Sequence, residues 1–185
     1  MIRILALSLL LVVVPAGADY YGFDRIDTYD PVTGLYYRAV VTEGDRGFTL
    51  DSKGGSQAVN IAVFDPSNGA VSLLFKERVP GAVQVVVFEA GFKDGAMVFS
   101  GGEHAPYIKN NHGISKREPK AKLLAAVRDK DNKSTILYVA DKTGANLKQV
   151  AAVPSNADWH LDVKNSKLRV VRQTGNTVKL DSYEW

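Results

Sequence analysis

Residues 59–75 read VNIAVFDPSNGAVSLLF, which is two runs of β-forming residues on either side of a polar turn. The β-branched and aromatic side chains of both runs favour strands. Pro66 presets φ at the first turn position, and Gly69 supplies the left-handed conformation that returns the chain into the second run. The stretch therefore predicts a β-hairpin.

The same design occurs on both sides of this hairpin. The turns DPVTG at residues 30–34 and DKTG at residues 141–144 each separate two β-rich runs. No amphipathic helix is recognisable, and the spacing of turns and apolar runs predicts an all-β domain. Further strands are expected at residues 83–89, 96–99, 123–128, 159–163, 168–172 and 178–183. Residues 83–89 are apolar at successive positions, which predicts a strand covered on both faces.

The first 18 residues carry the pattern of a secretory signal. Arg3 precedes an apolar run at residues 4–14, and the small residues PAGA follow at 15–18. Because a membrane-spanning helix needs about 20 apolar residues, we expect cleavage between Ala18 and Asp19 and no transmembrane anchor afterwards. Residues 19–185 contain no linker and are expected to form one all-β domain.

The composition narrows the compartment and the class of partner. The chain has no cysteine, which excludes a disulfide scaffold, a thiol nucleophile and a thiolate zinc site. Loss of residues 1–18 lowers the formal charge from +3 to +2, and such a balance does not indicate a nucleic-acid-binding protein. An exported chain that depends on its core instead of on disulfides is typical of a bacterial periplasmic or secreted protein.

The turn glycines are spaced like structural repeats. Gly34, Gly69 and Gly144 are separated by 35 and 75 residues, so the second interval is slightly more than twice the first. A period of this size is typical of propeller blades. It predicts a small β-propeller, or a propeller-like antiparallel meander, of about four blade-like units, with a degraded turn near residues 106–113. A β-sandwich of the same strands is the alternative.

The last unit has three candidate strands and would keep an unpaired sheet edge. Because closed rings of blades remove such edges, we expect the strand at residues 24–29 to complete it. Tyr183 and Trp185 should then pack in the core.

The strand at residues 135–140, the turn Asp141–Gly144 and the pair Asn146–Leu147 form a pattern that continues through Trp159 to residues 167–171. This pattern resembles the repeats in the propeller domain of the periplasmic Tol translocation protein, mainly over residues 124–171. The resemblance implies a β-propeller that presents loops to protein partners or small ligands, without a catalytic residue. The chain departs from those repeats at residues 164–167, where KNSK replaces a Pro-Asp-Gly turn.

Two groups of side chains between residues 100 and 122 are candidates for binding. Glu103, His104 and His112 supply the two imidazoles and one carboxylate of a common metal site, although their spacing matches no established motif and a solvated loop is the alternative. Lys116, Arg117, Lys120 and Lys122 form a basic run, predicted either to contact an anionic partner or to be a solvated loop.

These observations favour binding over catalysis. We expect an exported cell-envelope binding or scaffolding module, whose partner is an envelope protein, an acidic glycan or a lipid head group, with no cofactor. The alternative is a glycan-processing enzyme, a hydrolase or lyase, on the same all-β frame, because catalytic carboxylate pairs have no characteristic sequence spacing.

Overall fold

The computed structural model describes residues 25–41, 57–79, 81–102 and 105–185 of the chain. The predicted signal peptide lies outside these ranges, as do Glu103 and His104. The described residues form strands and connecting loops without any helix, so they include none that is long and apolar enough to cross a membrane. The predicted all-β class is therefore confirmed.

Within the described ranges, thirteen strands are arranged in three sheets. The N-terminal sheet has the order β1-β2-β3-β4, the central sheet β10-β9-β8-β5-β6, and the C-terminal sheet β13-β12-β11-β7. All pairings are antiparallel except that of β7 with β11. The strands are β1 Thr28–Tyr29, β2 Tyr36–Val41, β3 Ala58–Asp65, β4 Ala70–Leu73, β5 Ala82–Lys93, β6 Ala96–Phe99, β7 Ile108–Lys109, β8 Lys122–Arg128, β9 Ser134–Asp141, β10 Lys148–Pro154, β11 Ala157–Asp162, β12 Lys167–Thr174 and β13 Thr177–Glu184.

The three predicted hairpins are confirmed, and β3–β4 shows why the turn forms. The Asp65 carboxylate accepts hydrogen bonds from the Ser67 N–H at 2.9 Å and from the Asn68 amide at 3.0 Å. The Gly69 N–H donates to the Asp65 carbonyl at 2.9 Å, and Gly69 has a φ of 71°. A side chain would strain this left-handed backbone, so glycine is the residue best suited to the position.

The central sheet is buried on both faces, as the apolar run at residues 83–89 predicts. Val85 and Val87 pack in a core shared with the C-terminal sheet, whereas Val86 and Phe88 pack in a core shared with the N-terminal sheet. This alternation follows from the two-residue period of a strand. The three sheets are therefore stacked as layers, with the central sheet between the other two.

The expected fourth unit is not a sheet of its own. The β-structure between β5 and β8 instead extends two of the existing sheets, because β6 pairs with β5 in the central sheet and β7 pairs with β11 in the C-terminal sheet. The long interval between Gly69 and Gly144 thus contains four of the five strands of the central sheet, together with β4 and β7 of the other two sheets. Glycine spacing cannot distinguish this arrangement from two blades.

The expected pairing between the two ends of the chain is wrong. β1 pairs with β2 in the N-terminal sheet, and the inner edge of β11 is covered by β7. A hydrogen bond from the Leu161 N–H to the Tyr107 carbonyl, at 2.7 Å, helps to hold β7 beside β11. The packing of the last residues is nevertheless confirmed, since Trp185 is buried and Tyr183 is half-buried against the same core.

Buried polar groups join the N-terminal sheet to the central sheet. The Lys142 ammonium lies 2.9 Å from the Asp30 carboxylate and donates to the Glu89 carbonyl at 2.7 Å. The Tyr37 hydroxyl donates to the Lys142 carbonyl at 2.7 Å, and burial together with the charge of Asp30 raises the pKa of Tyr37. These buried contacts therefore hold the N-terminal sheet against the central sheet, out of reach of water.

Candidate functional site

Two members of the predicted basic run bind inside the protein. The Arg117 guanidinium makes two hydrogen bonds to the Glu89 carboxylate, at 2.5 and 2.7 Å, and the Lys120 N–H donates to the same carboxylate at 2.8 Å. The Lys120 ammonium contacts the main-chain oxygen of Trp185. The sequence had suggested an anion contact or a solvated loop, and for these two residues the structure shows internal partners.

Glu89 remains ionised in the interior because four donors reach its carboxylate. Trp185 adds a hydrogen bond from Nε1 at 3.1 Å to those from Arg117 and Lys120. Burial acts to raise the pKa of Glu89, but these hydrogen bonds and the charge of Arg117 outweigh it and hold the pKa below its ordinary value. We call Asp30, Glu89, Arg117, Lys120 and Lys142 the central ion cluster.

The other two cations of the run lie nearer to solvent. Lys116 is exposed and Lys122 is partly exposed at the start of β8. Any contact that this run makes with an anionic partner therefore depends mainly on Lys116 and Lys122.

Of the three residues in the metal hypothesis, the structure describes His112. Glu103 and His104 lie outside the described residues, and His112 forms an isolated β-bridge with Ala96. Within the described ranges, no group of three or more histidine, aspartate or glutamate side chains is placed to hold a metal ion. His160 lies on β11 and lines the cleft described next.

A cleft of about 720 Å³ opens beside strands of the central and C-terminal sheets. Apolar side chains of the central sheet, Val85, Ala126 and Val153, line part of it. Tyr107 and Trp159 also line it, and their rings are stacked with centroids 5.5 Å apart and an interplanar angle of 13°. Trp159 is half-buried, so one part of the ring pair is supported by the core and another part reaches the cleft.

The charged groups of the cleft are predominantly cations. Arg25, Lys109 and Arg128 line it together with one carboxylate, that of Asp158. Over the four described ranges, none of these three cations forms a salt bridge. Burial, reinforced by the charge of Lys109, lowers the pKa of His160, so that its imidazole is neutral at pH 7. The cleft therefore has an excess of two positive charges.

A bulge in β5 and a close approach just before it shape one side of the cleft. The register of β5 against β8 shifts between Val83 and Val85, so that Gln84 is the extra residue of a β-bulge and lines the cleft. Bulges commonly redirect side chains in this way next to functional sites. Gly81 approaches the end of β8 so closely that a Cβ there would lie 1.9 Å from the Arg128 carbonyl oxygen.

Sequence reasoning did not find the cleft. Its lining comes from segments between residues 25 and 171, and no two of its cations are neighbours in the chain. The one sequence feature that could have indicated the cleft is weak. Trp159 and His160 follow a short polar turn, and this arrangement is also common in ordinary strands. Comparison with family models, with curated proteins and with solved structures finds no match to this chain.

Proposed function

We propose that the protein is a non-catalytic binding or scaffolding module exported to the cell envelope, built on a β-propeller-like frame. The support for the frame is the stack of three sheets, each built largely from consecutive antiparallel strands and packed face to face with the next. Propeller blades are sheets of this kind, and the Tol-like pattern of residues 124–171 lies in the central and C-terminal sheets.

The cation-lined cleft carries the proposal. Its volume lies within the range of about 300 to 1,000 Å³ that small-molecule sites occupy. Arg25, Lys109 and Arg128 are available to an anion, because they are exposed and none of them forms a salt bridge within the described ranges. An anionic envelope component is the ligand that this arrangement favours.

A glycan-processing enzyme is less well supported. Glycoside hydrolysis ordinarily uses two carboxyl groups on opposite sides of the scissile bond. Among the described residues that line the cleft, Asp158 supplies the single carboxylate, and the basic side chains of Arg25, Lys109 and Arg128 line the cleft with it. Such a lining suits retention of an anion better than cleavage of a sugar.

The direct test measures binding and turnover on one sample. Residues 19–185 are titrated calorimetrically with acidic and neutral oligosaccharides and with lipid head groups, and each ligand is then recovered for mass spectrometry. We expect saturable binding of an anionic compound that is recovered unchanged, and Arg128→Gln should weaken this binding at least fivefold. A shortened or unsaturated product would replace this proposal with the hydrolase or lyase alternative.

The basic run is tested separately through its two outward cations. Changing Lys116 and Lys122 to Ser should weaken binding of an anionic envelope partner and leave the free energy of unfolding within about 0.5 kcal/mol, as is usual for surface substitutions. Lys130→Ser together with Lys164→Ser is a matched control, since both side chains are exposed. If partner binding responds neither to the Lys116 and Lys122 changes nor to added salt, this run is not the contact surface.

A further inference from the structure

We infer that the cleft beside Trp159 binds an acidic oligosaccharide, with a sugar ring against Trp159 and the sugar's carboxylate among Arg25, Lys109 and Arg128. This assignment rests on the proposed function and names the ligand class of its site. Three properties of the lining support it: the positive charge that no salt bridge compensates, the aromatic ring pair, and the polar uncharged side chains.

The first property is charge. Arg25 and Arg128 provide planar guanidinium groups, which can hold a carboxylate through two parallel hydrogen bonds. Lys109 provides a compact third cation from β7. The main chain fixes two of these residues, since the Arg25 carbonyl accepts a hydrogen bond from the Val86 N–H at 3.0 Å and Arg128 pairs with Thr135 at the end of β8. The cations are therefore presented by ordered backbone.

The second property is the ring pair of Tyr107 and Trp159. A pyranose ring has a face of C–H groups with slight positive charge, and an indole has a negative face, so the two attract each other. Stacking on Tyr107 fixes the plane of Trp159 before a ligand arrives. An ordered platform reduces the side-chain entropy that binding would otherwise cost.

The third property distinguishes a sugar from other anions. Besides the cations, the rings and the apolar side chains, the lining includes amides and hydroxyls, which donate and accept hydrogen bonds and so match a ligand with many hydroxyl groups. These groups are Gln84, Asn132, Ser134, Thr135 and Ser155. The imidazole of His160 adds a further donor and acceptor while neutral. A lipid tail would leave these polar groups without hydrogen-bond partners.

The experiment compares tetragalacturonate with its methyl ester, which keeps the ring and the hydroxyls but has no charge. Calorimetry at low salt should give an affinity at least tenfold higher for the acid than for the ester, and the difference should shrink as salt is raised to 0.3 M or so. Arg128→Gln and Lys109→Gln should each weaken binding of the acid at least fivefold and leave binding of the ester within twofold. Lys164→Gln, an exposed cation outside the cleft, is the matched control and should change neither affinity.

The aromatic part is tested with Trp159→Leu, with a melting curve to establish that the variant folds. Both the acid and the ester should lose affinity, because the change removes the platform and not the charge. Tetragalacturonate should quench the tryptophan fluorescence of the unaltered protein, and this quenching should be absent in Trp159→Leu. If Trp159→Leu does not fold, the same quenching experiment on the unaltered protein decides: tetragalacturonate must quench it, and an absence of quenching overturns the stacking.

Two outcomes overturn the acidic-sugar assignment while leaving the proposed function intact. One is equal affinity for acid and ester, which would show that the cations do not select the ligand. The other is tighter binding of adenosine monophosphate than of tetragalacturonate, which would show that the site prefers a phosphate and a base. If no compound or envelope partner binds the protein at all, the proposed function fails as well.

Discussion

The Lys142–Asp30 and Lys179–Asp181 pairs have nearly the same separation, at 2.9 and 3.2 Å, but opposite surroundings. The Lys142 and Asp30 side chains are 2% and 0% exposed, whereas those of Lys179 and Asp181 are 69% and 23% exposed. In the interior, each charge depends on the other because water cannot replace it. At the surface, water and salt compensate for a missing partner. Burial therefore decides what an ion pair contributes, even when the distance is the same.

The largest effect is expected from removing the buried ammonium. Lys142→Met should lower the free energy of unfolding by about 3 to 5 kcal/mol, because it leaves the Asp30 carboxylate buried beside an apolar side chain and the Glu89 carbonyl without its donor. Urea denaturation followed by fluorescence measures the change.

A second substitution checks this explanation. Adding Asp30→Asn to Lys142→Met should recover part of the loss, because the amide carries no charge and can still accept the hydrogen bond from the Val32 N–H. A single Lys142→Met variant that unfolds within about 1 kcal/mol of the unaltered protein would contradict the contrast between buried and exposed pairs.

The next effect concerns the cation that links the basic run to the interior. Arg117→Met should cost about 2 to 3 kcal/mol, less than a fully buried pair, since the Arg117 side chain is 32% exposed and water can partly take its place. The Glu89 carboxylate would keep the Lys120 N–H and Trp185 as donors. Combining Arg117→Met with Glu89→Gln should restore stability, and the same urea midpoint tests both variants.

Acid should weaken the cluster through Glu89. Its pKa is lower in the folded protein than in the unfolded chain, so its stabilising contribution is complete above the ordinary carboxyl pKa and is lost as the pH falls through that value to the lowered one. As the pH falls below the ordinary pKa of a glutamate carboxyl, we expect the unfolding free energy of the protein to decline more steeply than that of Glu89→Gln. Parallel slopes for the two proteins would show that Glu89 is not held in its ionised form.

The smallest effect is expected at the outer strand. Lys179→Ala should change the free energy of unfolding by about 0.5 kcal/mol or less, because the Lys179 ammonium is solvated and Asp181 keeps Arg172 at 3.0 Å. Thermal unfolding at low and high salt measures this difference. A loss comparable with that of Lys142→Met would mean that β13 is held by its charges and not by the packing of Tyr183 and Trp185.

Much of the secondary structure was predictable because its causes are local. The β3–β4 turn depends on Asp65, Asn68 and Gly69, which are neighbours in sequence and bond to one another in the structure. The burial of β5 on both faces was predictable for a related reason, since a run such as VVVF at residues 85–88 can be shielded from water only if another layer covers each face.

The pairing of distant segments was not predictable in the same way. β7 has two residues, and nothing in Ile108 or Lys109 indicates a parallel partner 53 residues later in β11. Arg117 looked like one cation among several because its counter-ion, Glu89, lies 28 residues earlier and its sequence neighbours are polar. The glycine period likewise gave no information on whether an intervening segment forms a sheet or joins existing ones.

The sequence by itself determined the all-β class, the hairpin turns and the need for two cores, because backbone preference and the alternation of apolar side chains act over a few residues. Only the tertiary structure decided that the described strands form three stacked sheets, that Arg117 and Lys142 are the counter-ions of buried carboxylates, and that Arg25, Lys109 and Arg128 line one cleft with Trp159. The physical reason is that electrostatic and packing energies depend on distance in space, and a distance in space between remote segments follows from the packing of all the layers together.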